Sequence, residues 1–188
     1  MKRIASVILT GALILSMGAA AFAATPSKTV ADEIKADAAV ETTGFDRVSI
    51  STEETEATVA QSAEVVKELA SSTEELKETV GATAEEKIDV IAVRTVTSKQ
   101  TPLFNRTKVT VSLSSAVIDA ACGENEQVTV LVMVPVVGKD GTVTYEKIAV
   151  TSGIVKDGKV QVTLTGALLK KIGKRKVTLV AIKKIAKV

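Results

Sequence analysis

The chain has 188 residues, a formal charge of +2 at pH 7, one cysteine and no histidine. Without histidine it lacks the usual general base near neutral pH and the commonest transition-metal ligand, which excludes Ser-His-Asp and Cys-His centres. The near-neutral total hides a division: residues 24–87 carry 15 acidic and 6 basic side chains, residues 88–188 carry 7 and 16.

Met1, Lys2 and Arg3 give a positive start, an apolar run follows from Ile4 to about Leu15, and Ala21-Phe22-Ala23 places small residues where a signal peptidase reads them. Residues 1–23 are therefore expected to be a secretory signal peptide. An uncleaved anchor fits less well, because the apolar run is short and dissolves into Gly18, Ala19 and Ala20. The mature chain is expected to be secreted or periplasmic, soluble, and without stable membrane insertion. Its single Cys122 leaves no intramolecular disulfide, so packing has to supply the stability.

Residues 24–50 are small, polar and Ala-rich over most of their length and read as a flexible acidic leader, with a short strand expected near Gly44 to Ser51. Residues 51–87 read as an acidic helical segment. Ser51 to Glu54 and Ser72 to Glu75 both spell STEE, a hydroxyl three residues before a glutamate, which is the pairing that satisfies free backbone donors at a helix start. Val59, Val65, Val66, Leu69, Leu76 and Val80 supply an apolar stripe, and Gly81 a stop. Thr83 to Glu86 offers a third, weaker start signal.

From Ile88 onward the period changes to two. KVTVSLSSAVI at Lys108 to Ile118 returns as KVQVTLTGALL at Lys159 to Leu169, each copy an alternating strand followed by an apolar triplet that reads as a helical turn plugging a core. Further strands are expected at Ile88 to Val96, Gln127 to Val134, Thr142 to Val150 and Lys176 to Lys183. Asp140-Gly141 and Asp157-Gly158 mark tight turns, and Pro135 belongs at a strand end or edge. In Gln127 to Val134 the residues Val128, Val130, Val132 and Val134 share one face while Leu131 and Met133 share the other. In the last strand Val177 and Leu179 oppose Val180 and Ile182. Both faces are apolar, so the second face needs a cover: the acidic helices, or alternatively a second copy of the chain.

With about seven short strands, residues 88–188 resemble the immunoglobulin-like β-sandwiches of bacterial secreted and cell-surface proteins. VQVTLTGALLKKIGKRKVTLV, at Val160 to Val180, looks like the strand, turn, strand corner of such modules. The buried disulfide and core Trp of antibody domains are absent. The resemblance implies a mainly β fold, an Ig-like antiparallel β-sandwich with an N-terminal helical segment packed on it, α+β overall. It implies no activity.

The chain is not expected to be an enzyme. No Ser-x-x-Lys spacing occurs, and the acids of the basic half, Asp89, Asp119, Glu124, Glu126, Asp140, Glu146 and Asp157, fall mostly in turns. Glu124 and Glu126 with Asp140 or Asp157 lack a calcium-loop pattern, so no metal and no cofactor are expected. Aromatic residues are too few for stacking platforms, which argues against nucleic acid. Lysines and an arginine do cluster in sequence at Lys170, Lys171, Lys174, Arg175, Lys176, Lys183 and Lys184, with Lys187 beyond. They read as a solvated edge or as a polyanion-binding surface. The expectation is an exported, non-catalytic structural or interaction module of the bacterial cell envelope or exterior, its partner a protein or envelope polymer. The alternative is a binder of anionic cell-surface polymers or lipids.

Overall fold

The structure, a computed structural model, describes residues 35–41, 48–71 and 73–186. The signal segment at residues 1–23, Ser72 and Lys187 lie outside the described residues. The strands are β1 (Lys35–Glu41), β2 (Ile50–Ser51), β3 (Glu86–Ser98), β4 (Lys108–Ser114), β5 (Gln127–Val137), β6 (Val143–Lys156), β7 (Lys159–Thr165) and β8 (Lys176–Ala186). Two helices, α1 (Glu56–Ser71) and α2 (Thr73–Thr79), precede β3, and two short ones, α3 (Ala116–Ala121) and α4 (Gly166–Ile172), follow β4 and β7.

All neighbouring strands are antiparallel, in the order β1-β4-β7-β6-β5-β8-β3-β2. The body is mainly antiparallel β, as the alternation requires, and its strands form one curled, hydrogen-bonded sheet. Curling follows from the burial pattern. Val96 of β3 and Val109, Val111 and Leu113 of β4 stand far apart in the strand order, yet they share one interior with Val130, Val160, Val162 and Leu179. Ile118 of α3 and Leu169 and Ile172 of α4 enter the same interior, so the two apolar triplets do plug it. Across the gap between β3 and β4, Ser115 Oγ donates to the Ile91 carbonyl at 3.1 Å, where β3 carries a bulge. β1 runs along the outer edge of β4, and the two-residue β2 covers β3 only at Thr97 and Ser98, so β1 and β2 are the outermost strands of the sheet. Lys35–Glu41, within the stretch read as a flexible leader, is thus a strand.

The sequence repeat is also a spatial one. The units β3-β4-α3-β5 and β6-β7-α4-β8 follow the same path, and their β4 and β7 strands pair with each other. Val111 meets Val162, Val109 meets Leu164 and Leu113 meets Val160. In the other ladder between equivalent strands, β5 with β8, Leu131 meets Val180. An antiparallel pair has local two-fold symmetry in its backbone bonds, and the repeated sequence extends that symmetry to side chains. The copies differ most in the connection between their first two strands. Asp157 and Gly158, at φ 49° and 68°, turn β6 directly into β7, the two-residue hairpin with both central residues left-handed. Residues 99–107 make the corresponding link from β3 to β4.

The outer face of β3, β8 and β5 is covered by the chain's own helices. Val65, Leu69, Leu76 and Val80 bury against Val93, Leu131, Met133, Val180 and Ile182, with Tyr145 at the margin. Beneath α1 a chain of hydroxyls satisfies the buried polar groups. Gln61 Nε2 donates to Thr178 Oγ1 (3.0 Å), Thr178 and Thr95 hydroxyls meet at 2.8 Å, as do those of Thr95 and Ser62, and Ser62 Oγ donates to the Thr58 carbonyl (3.0 Å). Since Ser62 spends its proton on that carbonyl, the hydroxyls donate in one direction, from Thr178 through Thr95 to Ser62.

Two helix-start signals act differently from the expectation. α1 begins after Thr55, which exchanges bonds with Thr58: Thr58 N donates to Thr55 Oγ1 and Thr55 N to Thr58 Oγ1. Ser51 stays in β2, and Glu54 is drawn to Arg94 Nη1 at 3.2 Å while Arg94 Nη2 donates to the Thr52 carbonyl, which ties residues 52–54 to β3 ahead of the helix. At the third signal Glu86 Oε2 accepts from Thr83 N at 2.7 Å, but Glu86 opens β3 and no helix follows.

Candidate functional site

α4 forms because its ends are fixed from outside and inside. Thr165 Oγ1 accepts from Leu168 N. Gly173, at φ 64°, ends the helix and donates its N–H to the Leu169 carbonyl at 2.9 Å. Arg175 wraps back on the same end, with Nε donating to the Ile172 carbonyl (2.7 Å) and Nη2 to the Lys171 carbonyl (2.6 Å), a cation at the negative end of the helix. Leu169 and Ile172 are buried, so Lys170 and Lys171 are left on the exposed face.

Other basic residues arrive from distant parts of the sequence. Lys108 pairs with Thr165 at the mouth of α4. Ser98 N donates to the Arg175 carbonyl, which brings Lys99 to the same end. The connection 99–107 lies against the start of α4: a Cβ on Gly166 would stand 2.6 Å from the Phe104 carbonyl, and Lys170 Nζ donates to Asn105 Oδ1 at 2.8 Å. Pro102 and Thr107 are buried on either side of four exposed residues, Leu103, Phe104, Asn105 and Arg106. Leu103 is 71% exposed and Phe104 50%. No acidic residue occurs in residues 99–118 or 158–188. By register Glu41 of β1 stands opposite Lys108.

The seven basic residues singled out in the sequence therefore divide. Lys170, Lys171, Lys174, Arg175 and Lys176 gather at the α4 end. Lys183 and Lys184 sit far along β8, about 23 Å from Lys176 at the rise of a strand. Lys183 is committed there: its Nζ reaches Glu126 Oε1 at 2.8 Å and also donates to the Ala121 carbonyl. What sequence reading missed at the α4 end is Lys99, Leu103, Phe104, Arg106 and Lys108. The signal for them was the acid-free run from 99 to 118.

Around Lys183 a second polar group assembles at the α3 end. Glu126 accepts from Lys183 and from Gly123 N, bonds that hold its carboxyl below the usual glutamate range. Burial, with the Glu126 charge adding to it and Lys183 opposing, pushes the half-buried Cys122 thiol up, which keeps it protonated and poorly nucleophilic. Asp89 faces Lys183 across the β3–β8 ladder with its Oδ1 buried and without a hydrogen-bond partner. The acidic turn residues divide between two turns. Glu124 Oε2 accepts from Asp157 N, while Asp140 accepts from the Thr142 hydroxyl in the separate β5–β6 hairpin. Among the described residues no group of three or more His, Cys, Asp and Glu is placed to hold a metal ion.

The α4 end thus combines fixed positive charge with an anchored, outward apolar tip. This arrangement can attract and hold an anionic surface. No family model, curated protein or solved structure matches the chain.

Proposed function

We propose that the chain is an exported, non-catalytic interaction module of the bacterial cell envelope or exterior, and that the α4 end is its contact surface for an anionic partner. The observation that carries this reading is the gathering of Lys99, Arg106, Lys108, Lys170, Lys171, Lys174 and Lys176 at one end by elements far apart in sequence, the β4–β7 register among them. A solvated lysine edge has no need of such convergence, whereas a polyanion is attracted by the summed field of neighbouring cations. Export rests on the signal-like residues 1–23. The likeness to immunoglobulin-like modules, in this reading, is one of closure: two strand, turn, strand corners enclose a single dry interior that serves as a scaffold.

The test is retention of the protein on immobilised teichoic acid. Retention that falls with salt and is lost when Lys170, Lys171, Lys174 and Lys176 are all changed to Gln supports the reading; retention that ignores those changes refutes it.

A further inference from the structure

Resting on the reading of the α4 end as an anion-binding surface, we infer that its occupant is the surface of an anionic lipid bilayer, into which Leu103 and Phe104 insert while the surrounding lysines contact the headgroups. The first observation is the asymmetry between the repeats. Asp157 and Gly158 suffice to join β6 to β7, whereas residues 99–107 join β3 to β4. The extra length does not add to the core. It carries the most exposed large apolar residue of the described chain, Leu103 at 71%, and beside it Phe104 at 50%.

The second observation is that the tip is fixed rather than loose. Pro102 and Thr107 are buried at its base, the Phe104 carbonyl lies so close to Gly166 that a side chain there would collide, and Asn105 is bound by Lys170. A preorganised knuckle loses little conformational freedom on docking. The third is the company it keeps: Arg106 stands two residues after Phe104, Lys108 and Lys170 flank it, and Lys171, Lys174 and Lys176 extend the same end. Charge alone fits a soluble polyanion equally well, but such a polymer offers no apolar phase for a leucine and a phenylalanine held out in water. A bilayer offers both, headgroup charge for the ammonium groups and acyl chains for the tip. This is peripheral docking by a loop, and no helix of the described residues is long and apolar enough to cross a membrane.

The test uses the full mature chain with phosphatidylcholine vesicles, vesicles of phosphatidylcholine mixed with phosphatidylglycerol, and immobilised teichoic acid as the polymer control. Because the chain has no tryptophan, Phe104→Trp places a single reporter at the tip. Expected are sedimentation with the anionic vesicles only and a blue shift of the Phe104→Trp emission on binding. The double change Leu103→Ser, Phe104→Ser is expected to lower vesicle partition by about tenfold or more while leaving the melting temperature and teichoic acid retention intact. Each lysine neutralised at this end should lower vesicle partition by about fivefold at low salt. If the double serine variant partitions as well as the parent, or the emission stays unshifted on vesicles that bind the protein, insertion is wrong and the polyanion reading stands. If the parent binds neither vesicles nor teichoic acid, both fall.

Discussion

Val111 lies directly opposite Val162 in the β4–β7 ladder, so one position of the repeated phrase meets its own copy across the sheet. Both side chains are fully buried in the same interior. Equivalent surroundings predict equivalent energetics: Val111→Ala and Val162→Ala should each cost about 1–3 kcal/mol. Their double variant should depart from the sum of the singles, because the two cavities share walls. Urea unfolding of the four proteins checks this, and a large cost at one position with none at the other would contradict the spatial repeat.

Gly153 of β6 faces the same interior, where a Cβ would come within 2.6 Å of Val160 Cγ1 and 3.2 Å of Val130 Cγ2. Gly153→Ala should therefore destabilise by about 1–3 kcal/mol through overpacking. In a Val160→Ala background, where the obstructing methyl is gone, calorimetry should find most of that loss removed.

Much of the body was legible because its signals are local. The two-residue period of Gln127 to Val134 sorts Val128, Val130, Val132 and Val134 inward and Leu131 and Met133 toward the helices, as observed. The apolar triplets after the repeated strands, and the Asp157-Gly158 turn, likewise depend on near neighbours in the chain. Pro135 sits beyond the stretch of β5 that pairs with β8, where its missing N–H costs nothing. What was not legible is long-range. No pattern in KADAAVE announces that it lies along β4, since the edge that accepts it is made elsewhere. The Ser51 to Glu54 cap signal yields to Arg94, a residue forty positions away in sequence. Lys183 looks like a companion of Lys176 on paper, and the rise of a strand carries it to the other end, while Lys108 arrives beside α4 only through register.

The helical cover makes a prediction of its own. Val65 is fully buried between α1 and the outer sheet face, so Val65→Asp should cost about 3 kcal/mol or more by placing an unpaired charge there. A chain beginning at Ile88 would present Leu131, Met133, Val180 and Ile182 to water. Light scattering should find it aggregated, and a monodisperse fragment of undiminished stability would contradict the role given to the helices.

Glu126 sets a pH dependence whose sign is fixed. Its folded-state carboxyl lies below the usual glutamate value because Lys183 and Gly123 N bind the charged form, so on acidification the unfolded chain takes up the proton first. The contribution is complete above the ordinary glutamate range and disappears as pH falls through that range to the lower folded value. Glu126→Gln should lower the urea midpoint at neutral pH and flatten this part of the acid limb.

Tyr145, the only tyrosine, reports the seating of the helices. Its phenol is pushed up, first by burial and then by the charges of Glu64 and Glu68 on α1. Ultraviolet titration should find it ionising above the ordinary tyrosine value. Glu64→Gln with Glu68→Gln should bring the midpoint partway down, and no change would mean that α1 is not held over β6.

β3 finds its long ladder only in β8, the last strand of the fold, with Val93 waiting for Val180. The curled sheet consequently has no long partner for β3 until the C-terminal segment arrives, and the outer face that seats α1 is itself incomplete before then. Such a topology commits late. Trimming the final strand would cost the whole body rather than its tail.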